Sequence, residues 1–117
     1  VAGTGNRSEI EIGYFTKYGD GGVDILPIGA LVKTQVWELA RFLGVPEKVI
    51  SRTPTAGLWQ GQTDEGEMGI AYRDLDRFIL TGQASPEVRE RIASMHARSE
   101  HKRRCPPVAQ VAPELLA

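Results

Sequence analysis

Cysteine, histidine and long apolar runs are all scarce in this chain, and each scarcity excludes something. A lone Cys105 forms no internal disulfide, and one Cys with two His assembles no zinc quartet. No apolar run approaches the ~18 residues of a membrane-crossing helix. The basic and apolar regions of a secretory signal are also missing, so a reducing cytoplasm is the expected location. A net charge of -1 provides no bulk field to gather nucleic acid or membrane, and neither is expected as a partner. There is no initiator Met. Val1-Ala2-Gly3 reads as the end of a buried strand feeding a glycine turn, as in a chain that begins inside an α/β domain.

What is present is ordinary globular composition, 41% hydrophobic and 25% charged over 117 residues. This is one domain's worth, expected over 1–105, with an aperiodic Pro, Ala and Val tail over 106–117 expected to be disordered. Ser8 is a candidate N-cap for a short helix reaching Phe15. Asp20-Gly21-Gly22 reads as a tight turn using glycines at positive φ. Asp24 to Ile28 suits an extended segment or a lone bridge. Lys33 to Leu43 carries Val36, Leu39, Ala40 and Leu43 as one apolar stripe, and Gly44 and Pro46 stop it. A short helix follows from Pro46 to Ser51, then a long loop over 53–66. Tyr72 to Leu80 is amphipathic and closed by Gly82. Ser85 and Pro86 open a last helix predicted to reach His101, with Val88, Ile92 and Met95 inward.

Four groups of residues could carry chemistry. Gly3-Thr4-Gly5-Asn6-Arg7-Ser8-Glu9 places a glycine turn before a helix, an arrangement that can expose N–H groups to phosphate or simply join two elements. It is no dinucleotide fingerprint, because Ser8 holds the third glycine's place. Around the Asp20-Gly21-Gly22 turn, Lys17 could neutralise an anion and Asp24 could accept from ribose hydroxyls, or both are solvated charges. Asp64, Glu65 and Glu67 could hold Mg²⁺, or form an acidic patch or first helical turn. His101-Lys102-Arg103-Arg104 could bind phosphate or compensate a helix C-terminus. His96 and His101, five apart, diverge too far to chelate a metal.

Taken together, the motifs resemble ammonia-dependent NAD synthetase over Val1 to about Pro107. The resemblance rests on Gly3 to Glu9 followed by Phe15-Thr16-Lys17-Tyr18-Gly19-Asp20-Gly21-Gly22-Val23-Asp24. It rests also on Pro54-Thr55-Ala56-Gly57-Leu58-Trp59 with Gly61-Gln62-Thr63-Asp64-Glu65, and on Glu100 to Arg104. The resemblance implies the C-terminal part of a doubly wound, parallel-sheet α/β domain of the ATP pyrophosphatase type, largely helical in this stretch, within a homodimer. It implies that deamido-NAD is adenylylated by ATP with Mg²⁺, and that ammonia then displaces AMP. By matching position, Thr4, Lys33 and Thr55 are implied ATP contacts and Glu9 an implied Mg²⁺ ligand. Lys17, Asp24, His101 and Lys102 are implied deamido-NAD contacts, and the 54–66 loop an implied mobile lid. The family's Ser-Gly-Gly-x-Asp-Ser pyrophosphate loop has no match in the chain, so inactivity of the chain alone is expected. Two alternatives stand beside this reading: another ATP pyrophosphatase such as a GMP synthetase domain, and a non-catalytic nucleotide-binding module.

Overall fold

Asn6, rather than Ser8, starts the first helix. In the computed structural model, which describes residues 1–116, α1 spans Arg7–Ile12. Asn6 Oδ1 accepts from the Glu9 N–H at 3.1 Å, and Glu9 Oε2 accepts from the Asn6 N–H at 3.1 Å. This reciprocal capping box satisfies two end groups at once. Ser8 lies two residues further on, within the first turn and fully buried, and its hydroxyl serves other elements. The helix stops at Gly13, whose φ of 70° only glycine adopts cheaply. A Cβ at that position would stand 2.1 Å from the Ser99 Cβ, so close packing demands glycine as well.

Ala2 pairs with Ile25 in a parallel bridge, closed by a Gly3 N–H to Ile25 carbonyl bond of 2.8 Å. Among the described residues this is the only β pairing, so the expected extended segments are present as a lone bridge. The glycines of the 20–22 turn correct the expectation made for them. Neither Gly21 nor Gly22 takes a positive φ. Gly21 is needed because a Cβ there would approach the Lys17 carbonyl oxygen to 2.6 Å.

Helix α2 is Lys33–Phe42, and α3, Glu47–Ile50, follows Pro46. The predicted apolar stripe of α2 is only partly used. Leu39 and Leu43 are exposed, and Phe42 beside them is 86% exposed, while Trp37 packs against the core. The helix is oriented by its first turn and by Trp37, which meets Tyr72 edge-on at 6.2 Å. Helix α4, Asp64–Met68, occupies the end of what the sequence suggested was loop. Thr63 caps it by accepting from the Gly66 N–H at 3.1 Å, so the three acidic residues are its first turn.

Helices α5 (Tyr72–Thr81) and α6 (Pro86–Arg98) complete the core. Ser85 caps α6 with Pro86 at its first position, as the sequence indicated. The helix ends three residues before His101. Ser99 Oγ donates to the Met95 and His96 carbonyls, and the Arg103 guanidinium takes the His96 carbonyl as well, drawing Glu100–Lys102 into a 3-10 turn. Ile12, Met68, Ile70, Tyr72, Leu75 and Ile92 form one buried cluster joining α1, α4, α5 and α6. Burying a side chain such as Ile12 or Leu75 contributes about 1.5–3 kcal/mol. The practical result is that α1 and α2 are both held against α5, with the 53–63 loop across one end.

Candidate functional site

A cleft of about 800 Å³ opens between the glycine turn, α1, the first turns of α2 and the 53–63 loop. Thr4, Glu9, Lys33, Thr55, Asp64 and Lys102 are among its lining residues. A second hollow of about 430 Å³ adjoins it on the α3 side and shares Glu9, Lys33, Thr55 and Asp64. The three implied ATP contacts and the implied metal ligand therefore face one space. Lys17, Asp24 and His101 are not among the residues lining either hollow. Lys17 Nζ lies 5.3 Å from the Tyr18 ring centre, Asp24 is exposed, and His101 is exposed on the 3-10 turn.

The centre of the cleft is an ion pair. Lys33 Nζ is 3.6 Å from Glu9 Oε1, and each side chain is 18% exposed. The ammonium also sits 5.1 Å over the Tyr72 ring, a cation–π contact. Burial pushes the Glu9 carboxyl above its ordinary range, against the opposing pull of the Asn6 backbone N–H and the Lys33 charge. Of its two oxygens, Oε2 is committed to the cap of α1 and Oε1 faces the cleft. Of the glycine turn's N–H groups, those of Gly3, Asn6, Arg7 and Glu9 bond within the protein.

Sequence reasoning named the carboxylates under the loop but missed the Tyr14, Tyr72 and Gln62 side chains that hold them. Tyr72 Oη donates to Asp64 Oδ2 at 3.0 Å, and Tyr14 Oη donates to Asp64 Oδ1 at 3.3 Å and to Glu67. Glu67 Oε2 also accepts from Gln62 Nε2 at 2.7 Å, and Gln62 Oε1 accepts from the Leu58 N–H at 2.7 Å. The Asp64 N–H reaches back to the Pro54 carbonyl at 2.9 Å. Burial first, then neighbouring carboxylates and the hydrogen bonds made to them, push both phenols upward, so each remains a donor. The hydrogen bonds from Tyr14 and Gln62 hold the Glu67 carboxyl below its ordinary range. The loop is thus tied to α4, which is held in turn by Tyr14 and by Tyr72 of α5. Tyr14 and Tyr72 each carry an apolar ring in the helical pattern, and that disguised their polar tips.

The basic run is mostly spent on structure. Lys102 Nζ donates to the Gly13 carbonyl at 2.8 Å and the Phe15 carbonyl at 2.6 Å, at the edge of the cleft. Arg103 donates to the Ile10, Glu11 and His96 carbonyls, binding the C-terminal ends of α1 and α6 together. Cations at helix C-termini are favoured on general grounds, which was the plainer of the two readings of this run.

No group of three or more potential metal-binding side chains occurs among the described residues. Glu9 and Asp64 line the same cleft; both Asp64 oxygens accept from tyrosine hydroxyls, whereas Glu9 Oε1 faces only the Lys33 ammonium at 3.6 Å. Mg²⁺ usually takes one or two protein carboxylates and completes its shell with phosphates and water, so this donor set fits an ion carried by a nucleotide and not a caged one.

The chain is similar to known proteins over nearly its whole length. The NAD synthase family model matches residues 1–106. The NH(3)-dependent NAD(+) synthetase of Carboxydothermus hydrogenoformans is 63% identical over 92% of this chain and 44% of its own length. That of Archaeoglobus fulgidus is 56% identical over 95% of this chain and 47% of its own. The solved structure of NMN synthetase from Francisella tularensis superposes with a TM-score of 0.90 at 49% identity, covering 95% of this chain and 47% of that one. The chain spans about half the length of the relatives it matches.

Proposed function

The chain belongs to the NAD synthase family, and from that premise we propose that it forms the C-terminal part of a carbon–nitrogen ligase converting deamido-NAD and ammonia to NAD at the expense of ATP. The observation that carries the proposal is the convergence of Thr4, Glu9, Lys33 and Thr55 on one cleft, from three separate stretches of sequence. In this reading the remaining length typical of the family supplies most of a doubly wound parallel sheet and the Ser-Gly-Gly-x-Asp-Ser loop. The 117-residue chain by itself is then expected to be inactive. The functional unit is a cytoplasmic homodimer.

The proposed chemistry has two steps. The nicotinate carboxylate attacks the α-phosphorus of ATP, releasing pyrophosphate and giving an acyl adenylate. Ammonia attacks the acyl carbon, the C–O bond to AMP breaks, and the amide forms. Within this chain, Lys33 neutralises phosphate charge, Thr4 and Thr55 donate to the nucleotide, and Glu9 would hold the metal through Oε1. Mg²⁺, when bound, supplies charge neutralisation for the phosphates. Lys17, Asp24, His101 and Lys102 are assigned to the dinucleotide, with Lys102 at the cleft edge. Catalysis of this kind is chiefly positioning and electrostatics. The 53–63 loop, tied down by Gln62 and Asp64, excludes water so that ammonia and not hydroxide meets the adenylate.

The similarity to the NMN synthetase of Francisella tularensis favours a second reading of the product, a mononucleotide in place of the dinucleotide. Presenting full-length protein with each nicotinate nucleotide, ATP, Mg²⁺ and ammonium decides between them. Preferential amidation of the dinucleotide supports the first reading. Preferential amidation of the mononucleotide supports the second, and AMP formation with neither removes both.

A further inference from the structure

We infer that Ser8 and Asp76 are positioning residues that hold Lys33 and Glu9 in fixed register across the cleft. The inference rests on the reading of Lys33 and Glu9 as ATP and metal contacts. Its basis is a buried hydrogen-bonded link between three helices. Ser8 Oγ donates to Asp76 Oδ1 at 2.5 Å and accepts from the Lys33 N–H at 3.0 Å. Asp76 Oδ2 accepts from the Thr34 N–H at 2.7 Å. Ser8 is 0% exposed and Asp76 2% exposed, so water does not compete for any of these bonds.

A helix ordinarily satisfies its first N–H groups with a polar residue immediately before it. Here that residue is Val32, which has no side-chain acceptor. The task passes to residues 25 and 42 positions away in sequence. A local cap would stabilise α2 equally well but would say nothing about where α2 sits. The distant cap fixes its first turn against α1, and the two residues it joins are the neighbours of the site. Ser8 precedes Glu9 in the chain, and its hydroxyl holds the backbone of Lys33 itself. The path from Glu9 to Lys33 is one peptide unit and one hydrogen bond. Because misplacement of a phosphate-neutralising charge by about 1 Å can cost on the order of a hundredfold in rate, such a tie matters for turnover.

The test is a double-mutant cycle in the full-length protein, read as kcat/KM for ATP. Ser8→Ala is expected to lower it about tenfold and Lys33→Ala by at least about a hundredfold, with the double variant no worse than Lys33→Ala. Losses that multiply in the double variant would show that Ser8 acts independently of Lys33, a purely structural role, and would overturn the inference. If Ser8→Ala does not fold, the same cycle is run with Asp76→Asn, which preserves volume, under the same two outcomes. Ser8→Thr, which keeps the hydroxyl, is expected to recover most of the loss, and failure to recover counts against the inference. Wild-type kcat/KM in Lys33→Ala alone would overturn the reading of the cleft itself, so the two failures are distinguishable.

Discussion

Lys33 Nζ stands 3.6 Å from Glu9 Oε1 in a cleft where each side chain keeps only 18% of its surface. The pair is closely matched in geometry, yet burial outweighs it for the carboxylate, whose titration is raised and not lowered. A charge kept at a net cost to the fold is a signature of a functional position.

That imbalance predicts how stability depends on pH. With the folded carboxyl above its ordinary value of 4.5, the folded chain binds the Glu9 proton more readily than the unfolded chain. The stability this confers is fully present below the unfolded value and is lost as pH rises through the folded one. Glu9→Gln is therefore expected to raise the melting temperature at neutral pH, with the gain shrinking as pH falls toward 4.5. The same variant should weaken Mg²⁺-ATP binding. Calorimetric melts across this range check the first part, and titration calorimetry the second. A melting temperature lowered at neutral pH would contradict the burial argument.

Tyr14→Phe removes the hydroxyl that donates to Asp64 and Glu67 and leaves the ring in place. A net loss of about 1 kcal/mol in urea unfolding is expected. The larger effect should be faster proteolytic nicking within 53–63, because Glu67 loses one of the partners that align it with Gln62. Unchanged nicking would mean the loop is held from its own side alone.

Two glycines of similar backbone should respond differently. Gly13 and Gly44 have φ of 70° and 76°, so alanine at either is strained by about 1–2 kcal/mol. At Gly44 nothing lies within 4 Å of the new methyl, whereas at Gly13 it would strike Ser99. Gly13→Ala should therefore cost a further 1–3 kcal/mol or so from overpacking. Equal losses in chemical denaturation would refute the clash.

Local signals carried the helices well and the site less so. Ser85 with Pro86, and Gly44 and Gly82 after apolar periods, announce their helix ends through backbone chemistry that needs no tertiary partner. Asn6 prevailed over Ser8 as a cap because Ser8 had a better use, bonding Asp76 68 residues away. The α2 stripe misled because Trp37, not Leu39 or Leu43, meets the core. Helix α4 is too short for a period to reveal and depends on Thr63 and on the Tyr14 and Tyr72 hydroxyls. Lys33 and Glu9 were identified by family motif, while their adjacency depends on the packing of α1 and α2 against α5, which no single segment encodes.

The most direct measurement follows phosphate products in full-length protein given deamido-NAD, ATP, Mg²⁺ and ammonium. The cleft reading predicts AMP and pyrophosphate in step with NAD, with formation of all three abolished in Glu9→Gln and reduced at least about a hundredfold in Lys33→Ala. Formation of ADP and phosphate in their place, or full activity in both variants, would contradict it.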